Sequence, residues 1–173
     1  MAGPIPKKMK ILKTYFFISC ITVITISARS QTIPNITDSR LDFSLPDIKG
    51  DSLRLSSMKG KVFLLDFWAS WCGPCRYSNK NLVKLYDKYK SKGFEILGVS
   101  LDDREREWKK AVKQDKITWL QINDSGGWDA RSAAKWQVDA IPASFLIDKD
   151  GNVVAINVEK KELENKIREL LGL

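Results

Sequence analysis

Apolar and polar positions change rhythm several times along this chain. Phe43-Ser44-Leu45 and Ser52-Leu53-Arg54-Leu55 alternate one by one, with Lys49-Gly50-Asp51 between them. That period of two predicts a β-hairpin. Val62–Trp68 is apolar throughout except for Asp66, the pattern of a strand buried on both faces. After Cys75 the period lengthens. Leu82, Leu85, Tyr86 and Tyr89 form a helical stripe, and Lys80, Lys84, Lys88 and Lys90 fall between them as a solvated face. Ser91-Lys92-Gly93 closes that helix. Phe94–Ser100 predicts a second buried strand. A helix over 105–114 would bury Trp108, Ala111 and Val112, and a short strand is expected over 117–122. Asp124–Gly127 reads as a loop and 129–136 as a short helix. Two strands, 144–147 and 152–156, flank the turn Asp148-Lys149-Asp150-Gly151. A last helix over 161–171 packs through Leu163, Ile167, Leu170 and Leu171. Strands alternating with helices predict an α/β sandwich, and the closing hairpin makes its sheet mixed.

The first 30 residues do not fit that domain. Lys7, Lys8, Lys10 and Lys13 precede an apolar stretch from Tyr15 to Ile26, and Ala28-Arg29-Ser30 ends it with small residues. This is the layout of an export signal, with an uncleaved membrane anchor as the alternative. Its apolar core of about a dozen residues is short for a membrane span. Met9 would also begin a compact signal. Cys20 is not the end of the apolar run, which argues against lipid attachment there. Residues 31–41 read as a flexible lead-in, and 42–173 as one domain.

This division changes the meaning of the charge. The formal net charge is +8, but five of the 29 basic residues precede residue 31 and no acid does. The remainder sets 24 basic residues against 21 acidic ones, a mixed surface rather than a nucleic-acid patch. After cleavage only Cys72 and Cys75 would remain. One close pair in an exported chain is not a stapling framework.

The candidate chemistry lies in Trp71-Cys72-Gly73-Pro74-Cys75, between the predicted strand and the predicted helix. A thiolate attacks disulfides, and a helix N-terminus stabilises negative charge. Cys72 at the first turn is therefore the expected nucleophile, with Cys75 shielded one turn deeper. Gly73 permits close approach, and Pro74 suits an early helical position. Competing uses of the pair lack partners. The chain has no histidine, and its third cysteine lies in the signal. No metal site or c-type haem attachment is expected, and no cofactor.

Two separated motifs carry a family resemblance. Phe67-Trp68-Ala69-Ser70-Trp71-Cys72-Gly73-Pro74-Cys75 resembles the active-site segment of thioredoxins, with Asp66 where they hold a buried acid. Ala140-Ile141-Pro142-Ala143-Ser144-Phe145 resembles their cis-proline segment. The leading hairpin and the extra helix and strand at 105–122 resemble the exported TlpA/ResA type of thioredoxin-like reductase. Gly98-Val99-Ser100-Leu101-Asp102-Asp103 and Gly126-Gly127-Trp128-Asp129 resemble a branch common in Bacteroidetes. The resemblance implies a three-layer thioredoxin-like sandwich, a central mixed sheet with helices on both faces.

It also implies roles. Cys72 attacks, Cys75 resolves the mixed disulfide, and Asp66 helps move the proton off Cys75. Pro142 is expected to be cis and to face Cys72, with Ile141 offering its backbone to an extended substrate. Trp71 shields the dithiol and borders the substrate groove together with Gly73 and Pro74. Trp108, Trp119, Trp128 and Trp136 are expected in the core, while Trp68 stays open between the core and the site. The partners implied are proteins with disulfides and a membrane thiol carrier that returns electrons; the compartment implied is the periplasm. Two positions depart from the pattern. Where relatives often carry Glu and Pro after the second cysteine, this chain has Ser78 and Lys80, so a helix kink and a tuning acid are missing. Two other readings stay open. A thiol peroxidase of the peroxiredoxin type would need a Pro-x-x-x-Thr-x-x-Cys pattern, which residues 66–70 do not supply. A non-catalytic binding module would have no use for the intact pair.

Overall fold

A strand that is apolar on both faces must be covered on both, and β3 (Val62–Trp68) is buried at all seven positions. It is the middle of a five-stranded sheet in the order β5-β4-β3-β6-β7. The computed structural model describes residue 3 and residues 34–173 of the chain. The export signal expected over 1–30 lies outside the described residues.

The elements follow as β1 (Ser44–Pro46), β2 (Ser52–Arg54), β3, α1 (Gly73–Tyr89), β4 (Phe94–Ser100), α2 (Glu105–Gln114), β5 (Leu120–Asn123), α3 (Arg131–Lys135), β6 (Ala143–Ile147), β7 (Val153–Ile156) and α4 (Lys160–Leu171). β3, β4 and β5 run parallel, while β6 pairs antiparallel with β3 and β7. The mixed sheet is thus as expected. β1 and β2 form the separate hairpin, tied to the sheet by a bridge between Asp47 and Ile122.

Alternation along β3 sorts the two cores. Val62, Leu64 and Trp68 face α1, α2 and α4 through Leu82, Leu85, Tyr89, Trp108, Leu163 and Ile167. Phe63, Leu65 and Phe67 face the other way, onto Ile36, Leu55, Met58, Ala133 and Trp136. Helices therefore cover both faces. Asp66 shares the face of Leu64 and Trp68, beneath the helix that starts at the cysteines.

Three expectations change. Residues 34–41 are not a loose lead-in. Ile36 is fully buried, its N–H donates to the Gly151 carbonyl at 2.9 Å, and Val153 N–H donates to Pro34 O at 2.9 Å. Trp136 Nε1–H caps the segment by donating to Leu41 O at 3.0 Å. One buried side chain and backbone pairing leave no sequence period to read. The strand expected over 117–122 begins only at Leu120, because Ile117 and Trp119 pack into the helical-face core from irregular backbone. The helix expected over 129–136 is split: a 3-10 turn, Gly127–Asp129, precedes the five residues of α3. Helix α1 runs unbroken through Lys80, which agrees with the absence of a proline there.

Candidate active site

The chain leaves β3 at Trp68 and turns into α1 within five residues. Ser70 anchors this turn: its N–H donates to Asp102 Oδ2 at 2.9 Å and its hydroxyl to Asp102 Oδ1 at 2.5 Å. Asp102 also accepts from the Ser100 hydroxyl at 2.7 Å. Cys72 is the N-cap of α1, and its sulfur accepts the Cys75 backbone N–H at 3.1 Å. Pro74 occupies the first turn, where no N–H is needed. The sulfurs of Cys72 and Cys75 are bonded to each other, so the site is in its oxidised form.

Both cysteines are largely covered, Cys72 at 6% exposure and Cys75 at 1%. Cys72 is thus the more exposed of the two by a narrow margin. Gly73 and Pro74 are exposed beside them, as is Trp71. The Ile141–Pro142 peptide bond is cis, and the Ile141 carbonyl oxygen stands 3.8 Å from Cys72 Sγ. Since β6 is antiparallel to β3, its N-terminal end brings this loop to the same end of the strands as the dithiol.

Asp66 is 4% exposed, and burial pushes its carboxyl up to about 7, with no charged or hydrogen-bonding neighbour to offset the effect. It lines a pocket of about 270 Å³ together with Tyr77, Ser78, Asn81, Ser144 and Lys160. Ser78, one of the two departures from the expected pattern, thus shares a cavity with the buried acid.

Sequence reasoning missed three features. Arg76, next to Cys75, makes a two-pronged pair with Asp115 at 2.5 and 2.8 Å, while its third nitrogen donates to Ser70 O at 3.2 Å. Asn79 donates to the same Asp115 at 2.9 Å. This cluster clamps the start of α1 to the end of α2. Second, Gly98 sits between Asp66 on β3 and Gln121 on β5 in the sheet register. A side chain at 98 would collide with the Gln121 amide, which occupies the place where a Cβ would stand. Gln121 Oε1 accepts from Trp68 Nε1–H at 3.0 Å and from Trp108 Nε1–H at 3.4 Å. Third, Trp128 is not a core residue. It is 56% exposed and meets Trp71, 52% exposed, with ring centroids 5.8 Å apart. The other expected core tryptophans, Trp108, Trp119 and Trp136, are buried, and so is Trp68, which the sequence left open. Spacing gives no signal for contacts between segments this far apart. Among the described residues no cluster of side chains suits a metal ion.

A dithiol on a helix N-terminus, a cis-proline loop against its outer sulfur and a buried carboxyl under the same helix form a site for thiol–disulfide exchange. Known proteins agree with that chemistry. The model of the AhpC/TSA family matches residues 36–156. The thiol-disulfide oxidoreductase ResA of a Bacillus cereus strain is 35% identical over 132 residues, which span 75% of each chain. A thiol-disulfide oxidoreductase from Bacteroides fragilis superposes with a TM-score of 0.70 at 35% identity, covering 75% of this chain and 96% of that one. The thioredoxin domain of a thiol-disulfide oxidoreductase from Bacteroides vulgatus gives 0.67 at 33% identity, covering 75% and 93%.

Proposed function

The chain belongs to the AhpC/TSA family, among its thioredoxin-like thiol-disulfide oxidoreductases, and from that premise we propose that it reduces protein disulfides outside the cytoplasm. The observation that carries the reading is the Cys72–Cys75 pair at the N-terminus of α1, with the Ile141 carbonyl 3.8 Å from the outer sulfur. In the reduced protein the Cys72 thiolate attacks one sulfur of a client disulfide. The other client sulfur leaves as a thiolate and takes up a proton. Cys75 loses its proton to Asp66, directly or through water in the adjoining pocket, and attacks Cys72 Sγ. That step breaks the mixed disulfide and releases the second client thiol. Two electrons have passed to the client, and the enzyme is left oxidised.

Oxidised enzyme needs a dithiol donor, and a membrane thiol carrier is the proposed class. Export rests on the basic and apolar layout of residues 1–30; among the described residues no helix is long and apolar enough to cross a membrane. Gly-Pro between the cysteines supports the reducing direction. Reducing thioredoxins lie near about −270 mV and strong oxidants near about −120 mV, a gap of about 7 kcal/mol for two electrons.

The test is a pair of variants. Cys72→Ser is expected to abolish disulfide reduction, and Cys75→Ser to accumulate mixed disulfides that mass spectrometry can identify. Turnover by Cys72→Ser would end this reading. A measured potential above about −150 mV would reverse the direction assigned.

A further inference from the structure

Two indoles stand more than half exposed beside the reactive sulfurs, and they come from well-separated segments of the chain. Trp71 precedes Cys72, and Trp128 lies in the 3-10 turn after β5; their ring centroids are 5.8 Å apart and tilted by 58°. The turn that carries Trp128 is held by backbone and side-chain hydrogen bonds. Asp124 N–H donates to Ser100 O at 2.9 Å, Gly126 N–H to Asp124 O at 2.8 Å, and Asp129 N–H to Gly126 O at 2.8 Å. Asp124 Oδ2 in turn accepts from Ser132 N–H at 2.7 Å. Gly127 has φ +54°, a left-handed conformation that favours glycine, and the place of its missing Cβ is 3.3 Å from Asp103 Oδ1. These bonds fix the backbone that carries Trp128, whose indole meets Trp71 and is otherwise more than half exposed.

The sheet order fixes where that face lies. β5 is two strands from β3 on one side, whereas the Ile141–Pro142 loop leads into β6 on the other. The dithiol therefore sits between the cis-proline loop and the tryptophan pair. Trp71 adjoins Cys72 in the chain and Trp128 meets Trp71, so the residues flanking the cysteine of a client strand, which advances about 3.3 Å per residue, are the ones brought toward the indoles. Charges of both signs lie near the pair in the chain, Asp124 and Asp129 with Arg131 beside Trp128 and Arg76 beside Trp71. What the site offers there is aromatic area, not a field of either sign.

We infer that Trp71 and Trp128 form an apolar subsite that selects client disulfides by an aliphatic or aromatic residue beside the cysteine, with Trp128 as the specificity-determining member. This rests on the disulfide-reducing function proposed above. The partner is a protein segment whose cysteine sits next to a large apolar side chain.

The experiment uses disulfide-bonded peptides with Leu, Ser or Arg at both positions flanking the cysteine. Second-order rate constants for their reduction by the fully reduced full-length protein are measured by stopped flow. The wild-type protein is expected to prefer the Leu peptide over the Ser peptide by about tenfold, the worth of one good aromatic contact. Trp128→Ala should bring that ratio to about threefold or less, and Trp128→Phe should keep most of it. A wild-type ratio near one, an Arg peptide reduced as fast as the Leu peptide, or a ratio unmoved in Trp128→Ala each overturns the subsite. The wild-type ratio alone decides the matter if the alanine variant does not fold. Failure to reduce any peptide would instead refute the disulfide-reducing function.

Discussion

Exchange of Asp66 for Asn is expected to stabilise the oxidised protein at neutral and alkaline pH and to matter little below about pH 4. In the unfolded chain this carboxyl titrates near its ordinary value of 3.8, whereas burial raises it to about 7 in the fold. Between those values the folded state holds a proton that the unfolded state has released. Stability is then full below the unfolded value and falls as pH rises, by about 1.4 kcal/mol per pH unit. The loss levels off above about pH 7, where both states are ionised, after accumulating to about 4 kcal/mol. Asn has nearly the shape of the protonated acid and carries no such penalty. Urea denaturation of both proteins, from about pH 4 to pH 8.5, isolates the effect, because every other titrating group is common to the two. The difference in unfolding free energy should grow with pH and saturate near about 4 kcal/mol in favour of the variant. A difference that stays flat within about 0.5 kcal/mol across that range would refute the reasoning, since it would mean that Asp66 ionises in the fold as easily as in water. The same exchange should slow the resolving attack of Cys75, seen as longer-lived mixed disulfide in single-turnover quench experiments near pH 7.

Two further substitutions test the frame around the site. Gly98→Ala places a Cβ on top of the Gln121 amide. Gln121 must move, which strands two buried indole N–H groups and should cost about 3 kcal/mol at an unchanged denaturant slope; a loss under about 0.5 kcal/mol would contradict the packing described. Arg76→Met leaves the Asp115 carboxylate with Asn79 as its remaining side-chain partner. Because Arg76 is partly exposed, the expected cost is below that of breaking a fully buried pair, about 2 kcal/mol, read as a fall of about 4–8 °C in Tm by calorimetry.

The parts of the fold legible in the sequence are those set by neighbours along the chain. β3 announces itself because both of its faces need apolar residues, and α1 because one face does. The dithiol was legible for a related reason: strand, cysteine pair and helix are continuous, so the local order Trp68 to Cys75 already fixes which sulfur caps the helix. Asp66 was legible as one acid in an apolar run. The segment 34–41 was not, because it is held by one buried side chain, Ile36, and by backbone bonds from Ile36 to Gly151 and from Val153 to Pro34, neither of which leaves a periodic trace.

What escaped the sequence is the second layer of the site, and it escaped for one physical reason. Arg76 finds Asp115 across 39 positions, Trp68 finds Gln121 across 53, and Trp71 finds Trp128 from a turn beyond β5. Each contact depends on β4 and β5 lying beside β3, so each exists only once the sheet is assembled. They also differ in consequence. The Arg76 and Gln121 contacts fix the backbone under the sulfurs, and their loss should appear as lost stability. The Trp71–Trp128 contact fixes nothing beneath it and leaves two aromatic faces open to solvent. Its loss should therefore cost little stability and appear in the choice of client, which separates a framework residue from a recognition residue by measurement alone.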